Sequence, residues 1–411
     1  MLDIKLLRED TETVKAGLKA KNADPALVDD FLESDNNWRE FRVKLDELRA
    51  KQNKLSKERN VEEAKKNKEE IKAAELEITE LEKERDEAWM KIPNLPLPEV
   101  PQGFNESENK VLREVGKKTE FTFKPKDHLE LGEALGIIDF ASGAKVAGSG
   151  FYYLKNDGAL LELALVQYAL DFLRKKGFDL WLTPDLAKDK FYLGTGYNPR
   201  GPEAQTYLVA DSDLGLIATA EVTLAAIHAD EVLQEKDLPK RYAGYSHCFR
   251  QEGGAYGKYS RGLYRVHQFT KVEMFAYAKP AESPAIHEEL LALEEELWQS
   301  LGIPYRVLEM CAGDLGAMAA RKFDLEAWMP GRGDYGEVTS TSNTTDYQAR
   351  RLNIKYKGQT ADKPEFVHTL NGTAIATSRG IIAVLENYQR EDGKIDVPEA
   401  LQKYFGKKVI G

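Results

Sequence analysis

Cysteine is almost absent from this chain. Cys248 and Cys311 are its only two among 411 residues, far apart and without a Cys/His spacing partner. That excludes a disulfide framework or a structural zinc site and fits a reducing compartment. No run of about 18 apolar residues occurs, so no membrane-spanning helix is expected. The start MLDIKLLRED lacks the apolar centre of a signal peptide, which predicts a soluble, cytoplasmic protein. An excess of positive charge is missing too. At a formal net charge of -11, any nucleic-acid contact must come from local basic patches on an acidic body. Neither GxxxxGK[ST] nor a strand-bound GxGxxG is found, so a P-loop or Rossmann nucleotide site is not indicated.

The length suits two or three domains with a substantial core, and the charged fraction of 31% is concentrated near the N-terminus. After a short strand or turn and a helix within residues 1–22, a long helical pattern begins at Pro25. Trp38, Phe41, Leu45, Leu48, Gln52 and Leu55 recur at steps of three and four. Beyond a polar break near Asn60, the rhythm resumes with Ile71, Ala74, Ile78, Leu81, Arg85, Ala88 and Ile92. Two such runs with no long loop predict an antiparallel helical hairpin. Pro93, Pro96, Pro98 and Pro101 end it, placing a boundary between residues 1–101 and 102–411. Lys51, Lys54, Lys57 and Arg59 approach the tip, and Lys65, Lys66 and Lys68 leave it. This is either an ordinary solvated coiled coil, such as a dimerisation arm, or a projection whose basic tip grips a phosphate backbone.

From about Asn105 the composition turns globular. Ala159 to Lys176 predicts an amphipathic helix ended by Gly177, and Phe178 to Thr183 a strand before Pro184. Further strands are expected at Thr206 to Val209, Leu216 to Ala218, Tyr305 to Met310 and Tyr335 to Thr339, with helices at Ile286 to Leu301 and Ile381 to Tyr388. The pattern is α+β: an antiparallel sheet flanked by helices. Its centre is Tyr245 to Phe275. Two strands, Ser246 to Gln251 and Tyr264 to Phe275, bracket a glycine-rich basic loop, and Arg250, Glu252, Lys271 and Glu273 sit in otherwise apolar strand patterns. Charges there are seldom buried unless paired or functional. The alternative is a solvent-exposed hairpin with a charged face.

These residues resemble a class II aminoacyl-tRNA synthetase, specifically the seryl-tRNA synthetase family of the common bacterial type. The resemblance covers nearly the whole chain. It runs through the helical arm, DHLELGEALGIIDF from Asp127, the element ending at Pro184, ATAEV from Ala218, CFRQE from Cys248, RVHQFTKVEMF from Arg265, GEVTSTSN from Gly336 and NGTAIATSRGIIAVLENYQ from Asn371. Such a resemblance implies activation of L-serine with ATP to seryl-adenylate, then transfer to tRNA(Ser) and, where it exists, tRNA(Sec). Chemistry of this kind is mainly positioning and electrostatics.

Carried over position by position, the resemblance makes Arg250, Glu337 and Arg379 catalytic. Arg250 bridges the α-phosphate and the serine carboxylate, and Arg379 faces the β- and γ-phosphates. Glu252 accepts from the adenine amino group and Phe269 stacks on adenine, with Gln251, Val266, Val338, Thr339 and Ser340 completing the ATP site. Glu337 and Ser340 would hold Mg²⁺. Thr219, Ala220, Glu221, Arg250, Glu273, Asn371 and Thr373 form the serine pocket. Many members carry Ser where Thr373 stands, and Ala376, Thr377 and Ser378 replace glycines before Arg379. No zinc is expected, since His228, His247, His267 and His368 are scattered.

The resemblance also implies a homodimer joined through the Ala159 to Lys176 helix and the strand before Pro184. It assigns tRNA binding to Lys51, Lys54, Lys57, Arg59, Lys65 and Lys66 on the arm and to the Gly253–Arg261 loop. Two rivals stand beside it. A relative that loads a carrier protein should lack the arm, and a non-catalytic paralogue should have lost Arg250, Glu252, Glu273, Glu337 or Arg379.

Overall fold

The structure of the chain is a computed structural model that describes residues 1–198, 205–252, 261–358 and 363–411. It divides into two units, Met1–Leu95 and Pro96–Gly411. The division falls ahead of the boundary expected after Pro101. Leu97 N–H donates to the Ala320 carbonyl and Ala312 N–H to that of Pro101, both at 2.9 Å, which ties the proline segment into the larger unit.

The first unit starts with two short helices, Ile4–Glu9 and Thr11–Ala20. They form a small core in which Leu7, Val14 and Leu18 meet Val28, Phe31 and Ile92. Helix α1 (Ala26–Glu58) and helix α2 (Val61–Lys91) follow. Between them Arg59 takes a left-handed conformation at φ 57, and the Asn60 side chain caps the Glu63 N–H. The helices run antiparallel: Arg49 pairs with Glu75 at 2.9 Å, and the Arg85 guanidinium stacks 4.3 Å from the Trp38 ring centroid. Leu45, Leu55 and Ala74 are buried along the expected seam. Its polar members are matched, since the buried Asn67 amide donates to Gln52 Oε1 at 2.9 Å and to the Leu48 carbonyl at 3.0 Å. This polar pair in an otherwise apolar seam favours one register, while Asn67 Oδ1 itself is buried without a hydrogen-bond partner.

The second unit is built on an eight-stranded sheet. Its strands are β1 (Lys110–Val115), β2 (Asp179–Leu182), β3 (Lys240–Phe249), β4 (Gln268–Ala278), β5 (Tyr305–Glu309), β6 (Arg321–Met329), β7 (Asp334–Asn343) and β8 (His368–Ala376). In space the order is β1-β5-β6-β7-β8-β4-β3-β2, antiparallel throughout except that β2 runs parallel to β3. The helices that matter are α3 (Asp157–Lys175), α4 (Asp189–Thr195), α5 (Glu221–Ala226), α6 (Ser283–Ser300), α7 (Tyr347–Leu352) and α8 (Thr377–Asn387). The main core gathers Leu161, Leu165, Leu290, Leu297, Ile381 and Leu385 from α3, α6 and α8 against Val272, Met274 and Ala276 of β4. By the period of two, Lys271 and Glu273 point to the opposite face, and that face carries the cleft.

Several expectations shift. The central strands are Lys240–Phe249 and Gln268–Ala278, displaced from the expected spans. Arg250 and Glu252 therefore lie beyond the end of β3 and not within it, and Glu252 sits at φ 50. The Gln251 N–H turns to the Gln205 carbonyl, outside the hairpin. Thr206 to Val209 makes only the bridge Leu208 to Gly215. Strands β1, β6 and β8 were not anticipated, because charged and glycine-containing strands carry little apolar alternation. Residues 253–260 of the predicted basic loop lie outside the described residues.

Candidate active site

Two register shifts shape the cleft. Between β6 and β7, Leu325 faces Thr339 while Glu326 faces Glu337, leaving Val338 as an extra residue. Between β8 and β4, Thr373 faces Glu273 while Ile375 faces Val272, leaving Ala374 extra. A bulge re-aims the side chains beside it, and Glu337 and Thr373 flank these two. The cleft has a volume of about 300 Å³.

Nearly all the residues expected in one site line this one cleft. Of the residues expected to hold ATP, Arg250, Glu252, Val266, Phe269, Glu337, Val338, Thr339, Ser340 and Arg379 line it, and so does a second group, Thr219, Glu221, Glu273, Asn371 and Thr373. Two expected residues do not line it. Ala220 is fully buried next to the start of α5, and Gln251 donates its side-chain amide to the Thr206 carbonyl at 3.0 Å.

The cations of the first group are held by acids and rings. Arg379 Nη1 lies 2.9 Å from Glu337 Oε1, with its guanidinium 4.8 Å from the Tyr264 ring centroid. Burial would raise the Glu337 carboxyl, but Arg379 and Lys322 outweigh it and hold the group well below the usual carboxylate range. The Arg250 guanidinium lies 5.2 Å from the Phe269 centroid, so a flat ring inserted there would meet a cation and an aromatic face. Glu252 pairs with Arg265 at 2.5 Å through Oε2.

A cation site was expected at Glu337 and Ser340. Both line the cleft, and Ser340 stands opposite Asp324 in register. Asp324 is buried and its Oδ1 is ion-paired with Lys322 Nζ at 3.4 Å. Among the described residues no three His, Cys, Asp or Glu side chains gather as a metal site. Two or three hard oxygens with room for phosphate and water fit Mg²⁺, which keeps much of its own shell, better than a closed cage.

The acids of the second group are buried. Glu273 is 2% exposed and ion-paired with Lys271; Lys271 Nζ also reaches Thr373 Oγ1 at 3.4 Å. Glu221, also 2% exposed, accepts from the Tyr197 hydroxyl at 2.9 Å and from Gln348 Nε2 at 2.7 Å. Burial, then the nearby Glu273, push its carboxyl up to about 7. Beneath this floor Glu294 of α6 is fully buried and accepts from Thr339 Oγ1 at 2.6 Å; burial pushes its carboxyl well up. Small polar groups converging in an enclosed pocket suit a small zwitterion.

Sequence reasoning marked Lys271 as a charge in an apolar strand without placing it in the site, and passed over Tyr197, Lys322, Gln348 and the segment Leu315 to Ala319, all in or against the cleft. Lys271 carried a signal, the same alternation that exposes Phe269 and Glu273. Gln348 carried none, since it reaches Glu221 only through tertiary packing. On the arm, Lys51, Lys54, Lys57, Arg59, Lys65 and Lys66 are all exposed on the turns nearest the tip.

Comparison with known proteins agrees with this fold. Residues 1–96 match the family model of the seryl-tRNA synthetase N-terminal domain, and residues 207–388 that of the tRNA synthetase class II core domain (G, H, P, S and T). A serine–tRNA ligase of Rubrobacter xylanophilus is 61% identical over 80% of this chain and 78% of its own length. One from Dictyoglomus thermophilum is 52% identical over 99% of this chain and 98% of its own. Among solved structures, seryl-tRNA synthetase from Pyrococcus horikoshii, complexed with ATP, superposes with TM-score 0.93 at 44% identity. That alignment covers 100% of this chain and 99% of the other.

Proposed function

The chain belongs to the seryl-tRNA synthetase family of class II ligases, and from that premise we propose that it joins L-serine to ATP and passes the seryl group to tRNA(Ser). A serine carboxylate oxygen attacks the α-phosphorus and pyrophosphate leaves. A ribose hydroxyl at the tRNA end then attacks the acyl carbon and AMP leaves. The same site serves tRNA(Sec) where a cell has one.

The single observation that supports this reading is that one cleft is lined both by the cations Arg250, Arg379 and Lys322 and by the buried Glu221, Glu273 and Thr373. On this reading the cations stabilise charge as it develops on the phosphates. Phe269 carries adenine, and Glu252 Oε1 is left to accept the adenine amine while Oε2 stays on Arg265. Glu221 receives the serine ammonium and Glu273 its hydroxyl. The ATP complex of the Pyrococcus horikoshii protein supports nucleotide binding at this fold. Glu337 and Ser340 would hold Mg²⁺, whose part is to neutralise phosphate charge.

The proposal extends to partners. In the larger unit, all four residues of β2 are exposed at the sheet edge, with Leu182 80% exposed, and Leu163 on α3 is 61% exposed. Apolar surface of this kind is expected to be covered by a second copy of the chain. The basic arm tip holds the long variable arm of tRNA(Ser) by shape and phosphate, without reading the anticodon. No helix of the described residues is long and apolar enough to cross a membrane.

Serine-dependent ATP–pyrophosphate exchange without tRNA tests the reading, beside alanine, threonine and glycine. Exchange with serine alone is expected. No exchange from folded protein supplied with Mg²⁺ overturns it in favour of a paralogue that kept the fold and lost the reaction.

A further inference from the structure

Glu221 is gripped from outside the sheet. Its Oε2 accepts from the Tyr197 hydroxyl, which follows α4, and its Oε1 from Gln348 Nε2 on α7. Gln348 is fully buried, and its amide has one permitted orientation. Nε2 also donates to the Thr195 carbonyl at 3.0 Å, an atom that can only accept, while Oε1 accepts from the Thr369 hydroxyl at 2.8 Å. Gln348 therefore presents an N–H to Glu221 Oε1, which must be a bare oxygen. Tyr197 is less strict, since a phenol can donate or accept.

We propose that Gln348 is a positioning residue for amino-acid recognition, holding Glu221 oriented and ionised to receive the α-ammonium of serine. The proposal rests on the reading of Glu221 as the ammonium acceptor.

The setting explains why such a residue is needed. Burial and Glu273 of β4 both oppose charge on Glu221 and push its carboxyl up to about 7, against the pull of Gln348, Tyr197 and Lys271. Arg250, from beyond β3, also lines the cleft and acts electrostatically on Tyr197. A carboxyl balanced near neutrality loses its charge if a donor is removed, and a protonated carboxyl cannot pair with an ammonium. Gln348 is fully buried and does not itself line the cleft, so its loss should act through Glu221 on serine alone. Its helix is short and polar, YQARRL, with no periodicity to mark it.

The test is the KM for serine in ATP–pyrophosphate exchange, measured with the full chain from about pH 6 to about pH 8.5. Gln348→Met keeps the buried volume and removes the donor. Its serine KM is expected to rise about tenfold or more at neutral pH, the scale of a hydrogen bond to a charged group. The gap from wild type narrows as pH rises, because Glu221 then ionises unaided, and the ATP KM stays within about twofold. Gln348→Leu carries the same expectation should the Met variant not fold. An unchanged serine KM overturns the proposal. So does an increase equal at every pH and matched for ATP, which marks a structural role only. Glu221→Gln separates the levels. If it leaves the serine KM unchanged, the ammonium reading fails and the proposal with it. If it raises the KM while Gln348→Met does not, the role of Gln348 alone is wrong.

Discussion

Glu273 and Thr373 face each other across adjacent antiparallel strands, and the Thr373 hydroxyl donates to Glu273 Oε2 at 3.3 Å. With Lys271 paired to the same carboxylate, Glu273 is anchored yet keeps capacity to accept one more hydrogen bond. That spare capacity is where a serine hydroxyl would bind.

Glu273→Ala is expected to reduce kcat/KM for serine by at least about a hundredfold, since a buried charged hydrogen-bond partner is lost. The ATP dissociation constant should change little. Exchange assays and nucleotide titration check the pair, and unchanged serine turnover removes Glu273 from the pocket.

The buried acid under the floor predicts a pH effect on stability. Burial raises the Glu294 carboxyl, so the folded chain keeps a proton that the unfolded chain, with an ordinary value of about 4.3, has released. The folded state binds more protons above that value, and its stability falls as pH rises through the window. Glu294→Gln mimics the protonated group. Melting temperatures from acid to neutral pH should decline less in the variant than in wild type. Parallel curves would contradict a protonated Glu294.

Charge reversal at the arm tip is expected to act on tRNA and spare adenylate formation. Lys54→Glu with Lys57→Glu should raise the KM for tRNA(Ser) about tenfold or more and flatten its salt dependence. Exchange without tRNA should be unchanged. A tRNA affinity indifferent to both substitutions would assign the tip no role.

Introducing charge on the exposed apolar residues of the larger unit tests self-association. Leu163→Glu with Leu182→Glu should convert a dimer to monomers in sedimentation analysis, because both carboxylates would be desolvated in the contact. A wild-type chain that sediments as a monomer would refute the dimer outright.

Much of this protein was readable before any coordinates. The arm was written in the spacing of Leu45, Leu55 and Ala74, because heptad periodicity is local and repeats. The cleft strand β4 was visible in the alternation of Phe269, Lys271 and Glu273, and the order of the motifs identified the catalytic core. Tertiary structure decided the rest. The extra residues Val338 and Ala374 are set by pairing between strands, and no local pattern announces a bulge. The end of β3, past which Arg250 still bonds to His267 while Gln251 turns to Gln205, depends on partners far away in sequence. The grip of Gln348 on Glu221 joins segments that only a folded core brings together. Periodicity lives in neighbouring residues, whereas a buried hydrogen bond between distant ones exists only once packing has excluded water from both.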